Sequence, residues 1–327
     1  MKKFTKLALV SSIALTTNAM AMQAMDDTAL SATTGQDGLS IGIGISKIEI
    51  EKLLIHDNDG LRVDATTPGK AGAIVIKGNG IAGNANEKHG IVIGANYDNK
   101  GAYLLTSRNL ADLVIDTDAG STAAGGAFIN VAAQVSGLDI KIGEIGVSAS
   151  NAENTSTTSI RRGNDEKNYN AILSGLTLKT GKMDANIQLG AAPQGAMIKL
   201  DTTMVGGLEI KDLGILDNST KVGAGDGTVG NRAAGQIYVD SIKLTDANST
   251  DLTLKQNISV IGKEGTNNGY IRIVSTGGAK DNYVAGIHLG SKGAASIGDM
   301  EVQGLQTYFS PDAGVYTKGA IITISGH

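Results

Sequence analysis

Apolar and polar residues alternate with a period of two along most of the chain after residue 38. The segment Leu39–Ile45 places Leu or Ile at every second position, and the same alternation recurs at 73–76, 90–93 and 271–273. Because residues i and i+2 share one face of a strand, this pattern predicts short, half-buried β-strands. Long segments with helical periodicity are missing; the best helix candidate outside the first residues is the short stretch Asp26–Thr33.

A second pattern interrupts the alternation in a regular way: two apolar residues at i and i+2 are followed by two more at i+5 and i+7. The four occurrences are Ile43/Ile45/Ile48/Ile50, Ile140/Ile142/Ile145/Val147, Leu208/Ile210/Leu213/Ile215 and Ile237/Val239/Ile242/Leu244. A straight strand would place the second pair on the opposite face, so one face stays apolar only if the chain bulges or turns between the pairs. The pattern predicts bent strands; the alternative is a strand buried on both faces.

These patterns predict an all-β fold built as an elongated, solenoid-like stack of short bent strands. Glycine-led strand starts recur at irregular spacing, which is typical of a degenerate repeat rather than a fixed-period array. An antiparallel β-sandwich is the alternative architecture. The polar stretches 148–167, 217–232 and 264–268 are predicted loops.

The first residues have the three parts of a secretory signal peptide. Lys2, Lys3 and Lys6 precede an apolar stretch, and the segment ends in the small-x-small motif Ala19-Met20-Ala21. We therefore expect residues 1–21 to be a signal peptide, 22–37 an acidic spacer, and 38–327 a single elongated all-β domain. The expected location is the periplasm in transit and then the cell surface or the extracellular medium.

Composition narrows the classes of function. The 327 residues contain no Cys and no Trp, only 3% are aromatic, and the formal net charge is −4. An exported chain without Cys has no disulfides, so its stability depends on burial and backbone hydrogen bonds. The acidic balance argues against nucleic acid as a partner, and no later stretch is long and apolar enough to predict a transmembrane helix.

Two motifs resemble ligand-binding sequences, one for a dinucleotide and one for calcium, but the residues around each motif do not complete the site. Residues 78–83 match G-x-G-x-x-G after a predicted strand, but the helix that a dinucleotide site needs is not predicted to follow. Asp57 and Asp59 resemble the start of a calcium loop, but Pro68 occupies the position of the closing Glu, and a turn is the favoured interpretation. We expect no catalytic residues, no metal site and no cofactor, with calcium at Asp57 and Asp59 as the alternative.

The segment Met25–Ile41, which reads MDDTALSATTGQDGLSI, resembles the mature N-terminal signature of FilA-type proteins, which are exported proteins associated with a bacterial pilus or fibre system. The acidic opening and the Thr-Gly-Gln-Asp-Gly that leads into an alternating strand carry the resemblance, which covers roughly twenty residues. It implies a role at the cell surface rather than a reaction, and it assigns no catalytic residues.

The expected function is therefore a structural or accessory component of a cell-surface fibre, joined to like subunits or to other fibre proteins by strand exchange through its nearly uncharged N-terminal strand. The candidate joining residues are Leu39, Ile41, Ile43, Ile45, Ile48 and Ile50. The alternative for this segment is the first strand of the protein's own fold. The alternative functions are a non-enzymatic adhesin that binds glycans or surfaces through polar loops and, ranked last, a polysaccharide-active enzyme.

Overall fold

The computed structural model describes residues 38–61, 66–67 and 69–326. The predicted signal peptide, the acidic spacer and the helix candidate Asp26–Thr33 lie outside the described residues. The described part is all-β, as predicted. Its strands are β1 (Leu39–Ile43), β2 (Lys47–Ile50), β3 (Lys52–Asp57), β4 (Gly72–Lys77), β5 (Ile91–Ala95), β6 (Ala111–Asp118), β7 (Phe128–Val135), β8 (Leu138–Ile142), β9 (Glu144–Ala149), β10 (Asn170–Leu173), β11 (Leu176–Lys179), β12 (Met183–Gly190), β13 (Ile198–Met204), β14 (Leu208–Asp217), β15 (Gly235–Asp246), β16 (Leu252–Ile261), β17 (Tyr270–Ser275), β18 (Lys280–Gly290), β19 (Ser296–Leu305), β20 (Tyr308–Phe309), β21 (Thr317–Lys318) and β22 (Ala320–Ile324).

Helical structure in the described residues is limited to single turns. One short helical turn spans Asp98–Gly101, and three 3-10 turns span Thr122–Ala124, Glu166–Asn168 and Asn218–Thr220. No helix of the described residues has the length and apolar character needed to cross a membrane.

The strands form two large antiparallel sheets and a small hairpin. Sheet A has eight strands in the order β1-β6-β7-β12-β13-β16-β17-β22. Sheet B has twelve strands. The first eight form two rows of four, β2-β5-β8-β11 and β3-β4-β9-β10, and the last strand of each row pairs with β14. The sheet then continues through β15, β18 and β19. Among the described strands, β20 and β21 pair only with each other.

The chain passes through both sheets in eight successive levels. At each level the chain passes between a strand of sheet A and the sheet B part, and the next level runs back beside it. The connection is a few residues long in six levels and is longer at residues 96–110 in the second level and 306–319, which include β20 and β21, in the eighth. In the first four levels the sheet B part consists of two shorter strands, and in the last four it is a single long strand. The strand order in each sheet therefore follows the order of the sequence, which confirms the predicted stack of bent strands.

Aliphatic rows cross each sheet from the first level to the last. In sheet A, successive register partners form the row Leu39, Ile115, Val131, Ile187, Ile198, Ile258, Ile273 and Ile322. In sheet B, the corresponding row is Ile48, Ile93, Ile140, Leu178, Ile210, Ile242, Val284 and Met300. Cross-strand neighbours of this kind are the unit of sheet stabilisation, so each level is held mainly by the two beside it.

Two of the four predicted phase shifts fall between two strands, and the other two fall where the pairing between strands is interrupted. Between Ile43 and Lys47 the chain leaves sheet A and enters sheet B, and Gly143 separates β8 from β9. Asp212 has a φ of +56° in the middle of β14, and the pairing of β14 with β15 is interrupted where Asp212 faces Asp240. Within sheet B, these interruptions lie side by side at Gly143, at Gly175 between β10 and β11, at Asp212 and at Asp240. We call this line the kink line.

Gly175 shows that the backbone of the kink line restricts which residue type can occupy a position. Its φ is +118°, and a Cβ there would lie 2.9 Å from the carbonyl oxygen of Ile142. A side chain would therefore clash with the adjacent level, and only glycine fits.

Buried polar side chains fasten the corner between the sheets. The amide of Asn96 donates to the Thr180 carbonyl at 3.0 Å, and the hydroxyl of Thr180 accepts the Leu138 backbone N–H at 2.9 Å. The hydroxyl of Ser136, which is fully buried, donates to the Asn109 carbonyl at 2.7 Å. Burial makes these hydrogen bonds costly to lose, so they fix the direction in which the chain turns from sheet A into sheet B.

Candidate joining edges and polar groove

The first level forms a free edge at one end of both sheets. β1 pairs with β6 and β2 pairs with β5 of the same chain, while the opposite sides of β1, β2 and β3 have no strand partner among the described residues. The predicted joining residues all lie in this level, in β1, in the turn after it and in β2: Leu39, Ile41, Ile43, Ile45, Ile48 and Ile50. The segment is thus part of the protein's own fold on one side and unpaired on the other.

The eighth level forms a second free edge at the opposite end. β22 pairs with β17 and β19 pairs with β18, and within the described chain their outer sides have no strand partner. Ile and Thr alternate in the second half of β22, but its position at the opposite end from β1 depends on six intervening levels that the sequence does not specify.

The two edges of sheet A are unprotected in the same way. β1 reads LSIGI and β22 reads AIITI, so neither contains a charged residue or a proline. Leu39 and Ile322, which end the same aliphatic row, are 57% and 52% exposed, while the six members between them are half-buried. Exposed edges without charges or proline are templates for pairing with another strand.

Polar loop tips form a rim along the far end of sheet B. Among the described residues, the tips lie at 58–61, 66–67, 69–71, 150–169, 218–234 and 291–295. Neighbouring tips are tied together: Arg162 Nη1 donates to Asn58 Oδ1 at 2.6 Å, and Asn218 Nδ2 donates to Asn170 Oδ1 at 2.6 Å. Two of the loops predicted from sequence, 148–167 and 217–232, lie largely in this rim, although their first residues belong to β9 and β14.

A polar groove of about 520 Å³ opens where the kink line meets the loop between β4 and β5. Its polar lining includes Asn79, Asn86, Lys141, Asp212, Tyr238 and Lys292. No local sequence motif indicates this cluster, because Asp212, Tyr238 and Lys292 come from three separate parts of the chain.

Tyr238 and Asp212 form the centre of this groove. Tyr238 is 2% exposed, and its hydroxyl donates to the Asp212 carboxylate, which also lies 3.3 Å from Lys292 Nζ. Burial, followed by the hydrogen bond to Asp212, raises the pKa of Tyr238 above its ordinary value. The phenol therefore stays protonated at neutral pH and serves as a hydrogen-bond donor to Asp212 of β14 rather than as a base.

His288 extends the same cluster. Its ring lies 5.8 Å from that of Tyr238, its Nδ1 is 2.6 Å from the Ala294 carbonyl, and its Nε2 is 3.4 Å from Asp240 Oδ2. The backbone hydrogen bond to Ala294 and the nearby carboxylate of Asp240 raise the pKa of His288. The cluster satisfies the polar groups exposed by the kink, and it can offer hydrogen bonds to a polar ligand.

The remaining sequence motifs lie in turns. Residues 78–83 follow β4 and continue through turns rather than a helix, with Gly80 and Gly83 at positive φ. Asp57 accepts hydrogen bonds from the backbone N–H groups of Asp59 and Gly60 at 3.3 and 3.1 Å, which is an Asx turn. The described residues contain no group of three or more His, Cys, Asp or Glu side chains placed to hold a metal ion. Calcium at Asp57 and Asp59 stays a prediction, and Pro68 lies outside the described residues.

Comparison with known proteins adds one match. The sequence model of a family of unknown function, DUF6160, matches residues 1–105. This is about a third of the chain and includes β1 to β5, which are the first level and the sheet B part of the second. No curated protein and no solved structure matches the chain. The fold and its edges therefore carry the functional argument: they define an antiparallel β-stack with two open ends.

Proposed function

We propose that this protein is a structural subunit of an exported cell-surface fibre, joined to its neighbours through the strand Leu39–Ile43 and its continuation into β2. The observation that carries the proposal is the pair of bare edges, β1 and β22, at opposite ends of one sheet. A subunit with two different unpaired strand edges makes heterologous contacts, and such contacts give open filaments unless a rotation closes them into a ring. The predicted signal peptide and the resemblance of residues 25–41 to FilA-type proteins support the same proposal.

The first test is negative-stain electron microscopy of the chain purified after export. Filaments of uniform width support a fibre subunit, and isolated particles at every concentration up to the solubility limit contradict it. The variant Ile41→Asp places a charge in the edge strand, where it would be desolvated by a joining strand. We expect this variant to stay folded by circular dichroism and to lose filaments; unchanged filaments would exclude the edge as the joint.

An adhesin is the second candidate, and the rim of polar loops is the observation that favours it. The tips present hydroxyl, amide and guanidinium groups together at one end of sheet B. Replacing the exposed tip 152–160 by a short Gly-Ser linker leaves Asn164 and Glu166 in place, where Glu166 bonds Lys52 and Lys77. Loss of attachment to surfaces with intact fibres is the result expected of an adhesin, whereas unchanged attachment would exclude this tip.

A further inference from the structure

We infer that copies of this chain stack head to tail, so that β22 of one copy pairs with β1 of the next while β19 pairs with β2. The inference rests on the proposed function and deepens it, because it names the partner as a second copy and specifies both the surface and the register. The free edges identified above are the two surfaces, and the stack of levels then continues from one copy into the next without interruption.

The direction of the strands fits this arrangement. Neighbouring levels are antiparallel, so the first and eighth strands of sheet A run in opposite directions. A copy displaced along the stack therefore presents β1 antiparallel to β22. The even number of levels also makes the backbone hydrogen bonds compatible. Along a row, successive register pairs alternate between pairs that exchange hydrogen bonds and pairs that do not. With an even number of levels, the outward backbone groups of β1 and β22 match in the same register.

The side-chain rows fix that register. Leu39 and Ile322 end one row, and Ile41 and Ala320 end the next row on the same face. Pairing Leu39 with Ile322 across the joint continues both rows, and it covers both of these side chains, each of which is more than half exposed. A slip of one residue would turn every apolar side chain of the added strand to the other face.

Charge complementarity in sheet B supports the same alignment. One row of register partners begins at Lys47 in the first level and ends at Glu301 in the eighth. Between these ends the charge alternates in sign through Asp139, Lys179, Glu209 and Lys243. Head-to-tail stacking brings Glu301 of one copy beside Lys47 of the next, which continues the alternation. In the same alignment Met300 meets Ile48 and extends the aliphatic row of sheet B.

One pair of like charges comes close in this alignment, Asp299 on β19 and Glu49 on β2. Each is already engaged within its own chain. Asp299 accepts the Gly286 backbone N–H and the Tyr283 hydroxyl, both at 2.8 Å, and Glu49 lies 2.6 Å from Lys47 Nζ. Their repulsion is therefore partly offset before the copies meet.

Engineered disulfides test the register directly, because the chain contains no cysteine. Ser40 and Ile321 end the same row, so they become direct neighbours across the proposed joint. Directly opposite residues have Cβ atoms about 4.5–5.5 Å apart, which is close enough for a disulfide after small adjustment. Within one chain the two positions are separated by seven strand spacings, about 34 Å, so only a joint between copies can link them.

The experiment oxidises filaments of the double variant Ser40→Cys/Ile321→Cys and separates the products on a denaturing gel. We expect a ladder of covalent oligomers that disappears on reduction. The matched control Ile41→Cys/Ile321→Cys places the two thiols on opposite faces of the sheet and is expected to give monomer. Filaments with no ladder, or with equal ladders in both variants, would overturn the register but leave the fibre proposal standing. The absence of filaments in the unmodified chain would overturn both.

A charge exchange tests the sheet B contact independently. Lys47→Glu alone and Glu301→Lys alone each create a like-charge contact at the joint, and we expect each to raise the minimum protein concentration for filaments by about fivefold, as an exposed ion pair permits. The double variant Lys47→Glu/Glu301→Lys restores an opposite pair and is expected to return near the original value. If the two effects simply add, the two residues do not meet. Thermal unfolding of the dilute monomer serves as the control for folding.

Discussion

Few aliphatic side chains of the described residues are fully buried, so each of them contributes strongly to stability. Leu252, at the start of β16, is 2% exposed, whereas Val260 in the same strand is 60% exposed. We expect Leu252→Ala to lower the free energy of unfolding by about 2–4 kcal/mol, because it removes buried apolar surface and leaves a cavity. Val260→Ala is expected to change it by less than about 1 kcal/mol. Urea denaturation of both variants measures the difference, and equal effects would contradict the burial described here.

At the scale of the strand, the kink line combines local sequence with distant contacts. The non-glycine residue Asp212 adopts a left-handed conformation in β14, and the hydroxyl of Tyr238 in β15 donates to its carboxylate. We expect Tyr238→Phe to cost about 1 kcal/mol, because it removes the hydrogen bond of a buried tyrosine, whereas the exposed Asp212 carboxylate keeps Lys292 and water as partners. Tyr283→Phe is the matched control, since that tyrosine is 45% exposed and water can replace its hydrogen bond to Asp299. A larger loss in the control would show that the kink line does not depend on Tyr238.

The same line shows what the sequence could predict and what it could not. Period-two alternation and the i, i+2, i+5, i+7 spacing are local, so they indicated the strands and the breaks at Gly143 and Asp212. Which strands lie side by side depends on hydrogen bonds between residues far apart in the sequence, and alternation alone carries no information about them. For that reason the edge at Leu39 was recognisable as a strand, whereas its partner edge at Ile322 and the cluster around Tyr238 became visible only in the fold.

The whole molecule behaves as a one-dimensional array, because each level contacts mainly its two neighbours. In such arrays the terminal repeats usually carry a polar outer face that ends the stack. Here the terminal strands β1 and β22 are uncharged, and the apolar rows run to the last residue on both sides. The ends are therefore chemically like the interior, and this similarity is what allows a second copy to take the place of the next level.

Filament geometry follows from the number of levels if copies stack in this way. Eight levels separated by the spacing between hydrogen-bonded strands, about 4.8 Å, give an axial rise of about 38 Å per subunit. The strands then lie across the filament axis, so oriented filaments should diffract strongly along that axis at the strand spacing. Helical reconstruction by electron cryomicroscopy measures the rise directly. A rise much longer than 38 Å, with strands parallel to the axis, would mean that subunits join through the loop rim instead of through β1 and β22.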